Sequence, residues 1–277
     1  MGHPVSRGRS SHAELGSVYD RSLFEQRRGI IGWVIGMAFF CLVMLAMYPT
    51  IHANASFAKL IEAYPEALRK LFDISDYTTG PGYLRTEVFS FMAPLLIAIY
   101  AILQGSDFLA GEEERRTIDL LLANPISRRR VVFEKWLALA TGTFVLSLVL
   151  ELLLGLVGPL FLLHLGWRQL TAEVLGTALF ALFGGTFALA WGAATGARGS
   201  ARGVAAAVSV AMYLLSALAQ LVTALKSFEW ASLWYHALGG DPLTTGFHYW
   251  HLGVVALSIG ALLAAALLLF DRRDLAT

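Results

Sequence analysis

Scanned for where apolar positions run unbroken and where polar ones interrupt them, the chain divides into six long apolar runs, at about 29–48, 88–104, 136–163, 174–196, 204–225 and 252–270. All are free of Asp, Glu, Lys and Arg except the third, which holds Glu151. A helix rising about 1.5 Å per residue needs roughly 20 residues to cross a bilayer core, so each run predicts a membrane-spanning helix. The pattern is that of an all-α integral membrane protein: a six-span domain over residues 29–277 behind a polar N-terminal segment, 1–28. In that segment Leu15, Val18, Leu23 and Phe24 form a ragged stripe that allows a helix on the membrane surface. In the first run the spacing Gly32-x-x-x-Gly36 permits close helix contact.

The polar interruptions differ in character. Residues 49–85 carry Phe57, Leu60, Ile61, Tyr64, Leu68 and Leu71 at helical spacing, which predicts helices resting on the outer surface, and Thr79-Gly80-Pro81-Gly82-Tyr83 then reads as a turn. Residues 226–251 are rich in Trp and Tyr, which favour the headgroup level. His236, His248 and His251 with Asp241 lack a familiar ligand spacing, so an interfacial aromatic belt is the better reading and no metal is expected.

Gly105 to Trp136 is the most charged stretch. Thr117 can cap a helix in which Ile118, Leu121 and Leu122 fall at i, i+3 and i+4 on one face, with Asp119 and Asn124 off it. Pro125 ends that segment, and Ser127 is placed to cap a helix running from Arg128 into the third span. With the N-terminus inside, all of the 21 Lys and Arg fall on the cytoplasmic side except Lys59, Arg69, Lys70, Arg85, Arg168 and Lys226. That asymmetry predicts both termini and the charged loop in the cytoplasm.

Composition agrees: 57% hydrophobic and 15% charged residues and a mean hydropathy of +0.62 exclude a soluble domain. A single Cys, Cys41, excludes an intrachain disulfide. Glu151 lies near the middle of the third run, where a carboxylate must face the bundle interior, a water path or a partner. A hydrogen bond between helices and a transport role both remain open for it. Gly184, Gly185, Gly192 and Gly196 with Ala193 and Ala194 mark a packing face on the fourth run, within the bundle or at a dimer seam.

The order Glu112-x-Glu114-x-x-Thr117-Ile118-x-x-Leu121-Leu122-x-x-Pro125-Ile126-Ser127-Arg128, followed by Lys135, resembles the first cytoplasmic loop of ABC-2 type transporter permeases, the membrane subunits of ATP-driven exporters of the type V kind. That family usually has Gly before the Thr and before the Lys, where this chain has Arg116 and Glu134. The resemblance implies that 117–124 is an amphipathic coupling helix between spans 2 and 3, docked in an ATPase groove through Ile118, Leu121 and Leu122 and oriented by Glu112, Glu114 and Arg128. It implies two ATPase subunits, which bind ATP and Mg, and a second permease, either another copy or a paralogue. The long segment after the first span more loosely resembles a subgroup associated with drug and antibiotic export.

Absent motifs narrow the function. The chain has no G-x-x-x-x-G-K-[ST], no H-E-x-x-H and no G-x-S-x-G, so catalysis by this subunit and any cofactor of its own are not expected. Its short basic runs flank spans and suit anionic lipid headgroups, not nucleic acid. The alternative is a self-sufficient secondary transporter with Glu151 as an ion or proton site, weakened by the lack of an internal repeat or a second intramembrane charge. A membrane enzyme or scaffold has no constellation to support it. Few polar handles in the spans suit an amphipathic or lipid-like cargo.

Overall fold

In a computed structural model of the chain, which describes residues 17–54, 63–65, 76–116 and 126–273, six helices are long and apolar enough to cross a membrane: α1 (Val18–Ala53), α2 (Gly80–Glu114), α3 (Arg128–Phe161), α4 (Trp167–Thr195), α5 (Arg198–Ala219) and α6 (Tyr249–Arg272). Most overrun the apolar runs that announce them, because a polar turn costs nothing once it projects past the hydrocarbon. Residues 18–28 are thus the first turns of α1, and no separate surface helix forms there. Ser17 caps that start, its Oγ accepting from the Asp20 N–H. The stretch 79–83 does not turn the chain but begins α2: Thr79 Oγ1 accepts from the Gly82 N–H at 3.1 Å, and Pro81 lies in the first turn, where its missing N–H costs nothing. At the other extreme, α5 stops at Ala219, and Thr223–Lys226 is a separate short helix after an extended Val222. The surface helices expected between residues 55 and 75 lie largely outside the described residues.

The bundle is built around α4. In its most apolar eighteen-residue stretch 78% of residues are buried, against 56% for α2, 28% for α3, 22% for α5 and 17% for α1 and α6. It packs on α2, α3, α5 and α6, while α1 lies mainly against α3. Small residues permit this centrality: a Cβ on Gly105 of α2 would sit 2.1 Å from the Gly185 carbonyl oxygen, so the two backbones touch. The small-residue face of α4 is therefore used within the chain, against α2 and α5, although Ala194 is exposed.

Along α1, Val18, Ser22 and Gln26, then Met37, Cys41 and Leu45, repeat every four residues as a buried stripe. Ile31, Ile35 and Phe39 on the outer face are exposed, as a lipid-facing surface requires. Gln26 is satisfied where it is buried, donating to the Ala138 carbonyl at 3.1 Å and accepting from Tyr100 Oη at 3.0 Å, which ties α1, α2 and α3 together. The Gly32/Gly36 pair makes no close contact within the chain; a Cβ on either meets open space.

Candidate functional site

Both ends of the described chain, the facing ends of α2 and α3 and the turn α4–α5 meet at one end of the bundle, and charge holds them there. Ser127 caps α3 as its position predicts, its Oγ accepting from the Arg130 N–H at 3.3 Å. That start sets Lys135 on the buried side of α3, 1% exposed, where its Nζ donates to Glu112 Oε1 at 2.5 Å. Glu112 follows a π-helical turn, Asp107–Gly111, whose extra residue re-aims everything beyond it. Asp107 itself forms ion pairs with Arg198 and Arg202, whose Nη2 atoms donate to its Oδ2 at 3.2 Å and 3.1 Å.

The neighbouring carboxylates reach other elements. Glu113 pairs with Arg273, and Glu114 accepts from the Arg198 N–H at 3.0 Å, so it receives the first turn of α5. Arg128 donates to the Arg273 carbonyl at 2.7 Å, and Arg129 pairs with Asp271 at 2.9 Å. Gly196 ends α4 at φ 68°, and a Cβ there would strike the Arg273 guanidinium and the Glu113 carboxylate. Sequence reasoning missed Glu113 and Arg273, since nothing local connects a loop carboxylate with the chain's last helix.

The two departures from the ABC-2 loop pattern have structural consequences. Glu134 accepts from the Tyr19 N–H at 3.1 Å and from Arg130 Nε at 2.7 Å, so it helps satisfy the open N-terminus of α1. Arg116 has φ 56°, a left-handed conformation that glycine adopts without strain and that arginine reaches at a cost of about 1–2 kcal/mol. Thr117, Ile118, Leu121, Leu122 and Pro125 lie outside the described residues; the structure places the residues that flank them, Glu112 to Glu114 and Ser127 to Lys135.

In α3, which runs from Arg128 to Phe161, Glu151 lies ten residues before the end, and Thr171 Oγ1 on the second turn of α4 donates to its carboxylate. The observed arrangement is the hydrogen bond between helices.

The opposite end of the bundle is built differently. A second π-helical turn, Arg85–Phe89, and the break at Ser90–Phe91 open α2 around a cavity of about 980 Å³. Arg85, Glu87, Glu173, Lys226, Glu229 and Asp241 line it. Arg85 pairs with Asp241 at 2.6 Å. Glu87 accepts from the Tyr77 phenol at 2.6 Å; burial and this contact push that phenol's pKa upward, so it remains a donor. Glu173 is only 3% exposed and lies in the second turn of α4. It was missed because the apolar run begins one residue later, at Val174.

Nearby, the histidines do come together, His236 Nδ1 lying 2.8 Å from His251 Nδ1, and His248 bonding Thr245. Among the described residues no group of His, Cys, Asp and Glu could hold a metal ion. Trp230, Tyr249 and Trp250 are exposed, as an aromatic belt requires.

The sequence has recognisable relatives. A stretch of 57 residues is 40% identical to the ABC transporter permease protein NatB of Bacillus subtilis (strain 168), covering 19% of this chain and only 14% of that protein's length. The family model for ABC-2 family transporter proteins matches residues 18–275, from the first turn of α1 to just beyond the end of α6. The chain therefore belongs to the ABC-2 transporter family and is a multi-pass membrane protein, a membrane subunit of an ABC transporter.

Proposed function

We propose that the chain is the permease subunit of an ATP-driven exporter, in which two six-span subunits form the path and two separate ATPase subunits, binding ATP and Mg, dock beneath the end that carries both termini. The excess of Lys and Arg at that end supports placing it in the cytoplasm. Residues 117–124 are the docking element, with Ile118, Leu121 and Leu122 seated in an ATPase groove.

The observation that carries this reading is the buried Glu112–Lys135 pair. It joins the last turn of α2 to the first turns of α3 directly behind the loop, so a push delivered between residues 116 and 126 reaches both spans as one body. Glu113–Arg273 and Glu114–Arg198 extend the same body to α6 and α5. Glu151, held by Thr171, has a structural role in this reading.

The test is Leu121→Glu. Burying a Leu side chain contributes about 1.5–3 kcal/mol, and a carboxylate forced into the same groove costs more than that gain. The variant is expected to insert normally and to lose ATPase copurification and ATPase stimulation by well over tenfold. An intact complex with coupled ATP hydrolysis overturns the docking assignment.

A further inference from the structure

Between α1 and α2 lies a groove of about 520 Å³, open along the outside of the bundle. We propose that it holds one acyl chain of an anionic phospholipid whose phosphate sits on Arg28. Binding requires neither the ATPase nor the transport reading, only a bilayer around the six spans.

The groove arises from how α1 packs. That helix lies mainly against α3, and beside α2 its Gly29, Gly32 and Gly36 offer no side chains; a Cβ on any of them meets open space. The walls are large and apolar: Trp33, Met37 and Phe40 on α1, with Met92 and Leu96 on α2. Trp33 is braced, its ring meeting Tyr100 of α2 edge to face at 6.1 Å. Tyr100 in turn donates to the buried Gln26, which donates to the Ala138 carbonyl of α3. The shape is therefore set by the packing of three helices.

Length fits a lipid chain. Arg28 to Phe40 is twelve residues, about 18 Å along the helix at about 1.5 Å per residue. One leaflet of hydrocarbon is about 15 Å deep, half of a core of roughly 30 Å, and the apolar run of α1 begins at Gly29. The groove thus starts at the headgroup boundary and ends near the bilayer middle, as a single acyl chain does.

Charge fits the headgroup. Among the described residues that line the groove, Arg28 alone carries a charge, and a guanidinium can hold a phosphate through two parallel N–H donors. Glu25, one turn earlier, pairs with Arg21 at 2.9 Å, and Arg27 lies over the Phe24 ring. A second copy of this chain suits the groove less well. Related by a two-fold axis along the membrane normal, it would bring its own Arg28 to the same depth and set like charges face to face. An anionic headgroup presents the opposite charge there.

The experiment is native mass spectrometry of the full chain released from detergent micelles, with phosphatidylglycerol and phosphatidylcholine of identical acyl chains added in equal amounts. One phosphatidylglycerol per chain is expected to be retained, about fivefold in preference to phosphatidylcholine, the discrimination that one arginine near a charged surface provides. Arg28→Gln should remove most of that preference and Arg27→Gln little of it. The double variant Gly32→Leu/Gly36→Leu adds its side chains in open space, so it should fold and lose retained lipid of both kinds. Phosphatidylglycerol should also raise the melting temperature of the wild type and leave that of the double variant unmoved. Equal retention of the two lipids, no retained lipid, or retention unchanged in the double variant overturns the site. A dimer that the double variant splits into monomers gives the groove to a second copy and overturns it as well.

Discussion

The two ends of the bundle solve the problem of polar groups at a membrane boundary in opposite ways. At the end where both ends of the described chain lie, Asp107, Glu112 and Glu113 are each closed against a Lys or Arg from another element, and Lys135 is almost fully buried in doing so. At the other end a π-helical turn and a helix break border a cavity lined with polar side chains, with the Arg85–Asp241 ion pair on its wall. Closed pairs resist relative motion of the helices they join, whereas groups around a cavity can rearrange and meet a ligand. The first suits transmission of force and the second suits recognition.

The broadest break in this comparison concerns sidedness and is all-or-none. Gly199→Cys, in open space at the start of α5, is expected to react with an impermeant maleimide only from the cytoplasm, and Ser227→Cys, exposed at the other end, only from outside. Native Cys41 is buried and should stay silent. Labelling of Gly199→Cys from outside inverts the whole assignment.

Next in size is the buried pair. Lys135→Met takes the buried ammonium away from the Glu112 carboxylate and should destabilise the protein by about 3–5 kcal/mol, seen as a lower melting temperature in detergent. The double variant Lys135→Met/Glu112→Leu should recover most of that stability. If its ATPase stimulation recovers equally, the pair has only a structural role and does not transmit force.

A smaller loss is expected at the open end. Asp241→Ala removes one partner of Arg85, and both side chains touch water, at 17% and 27% exposure, so the cost should be about 1–2 kcal/mol in the same melting measurement. A loss as large as that of Lys135→Met would mean that the two ends are equally rigid.

The smallest effect is a gain. Arg116→Gly relieves a left-handed arginine and should stabilise the folded protein by about 1 kcal/mol, less whatever glycine adds to the unfolded chain's freedom. Unaltered melting would show that the loop's conformation is set by what docks on it.

Much of this architecture was legible in the residue order, because a spanning helix must satisfy its backbone internally and show lipid an apolar surface, and both demands are local. The six runs, the Ser127 cap and the aromatic segment before α6 belong to that class. Ends and faces were less legible: residues 14–28 allowed a surface helix and 79–83 read as a turn, yet the described part of each starts a span through a single capping side chain. Gly32 and Gly36 read as a contact and border an open groove, because spacing permits an approach without supplying the partner.

What the sequence determined by itself was therefore the class of the protein, the number of its spans, the family-like charged loop and the lopsided distribution of Lys and Arg. Only the tertiary structure decided that α4 is the central helix, that Glu112 closes on Lys135 and Glu113 on Arg273, and that Glu151 meets Thr171 of α4. It also decided that Arg85, Glu87, Glu173 and Asp241 share a cavity. The reason is physical: hydrophobicity acts residue by residue along the chain, whereas ion pairs and cavities depend on short distances between residues up to 160 positions apart, which exist only once the helices have packed.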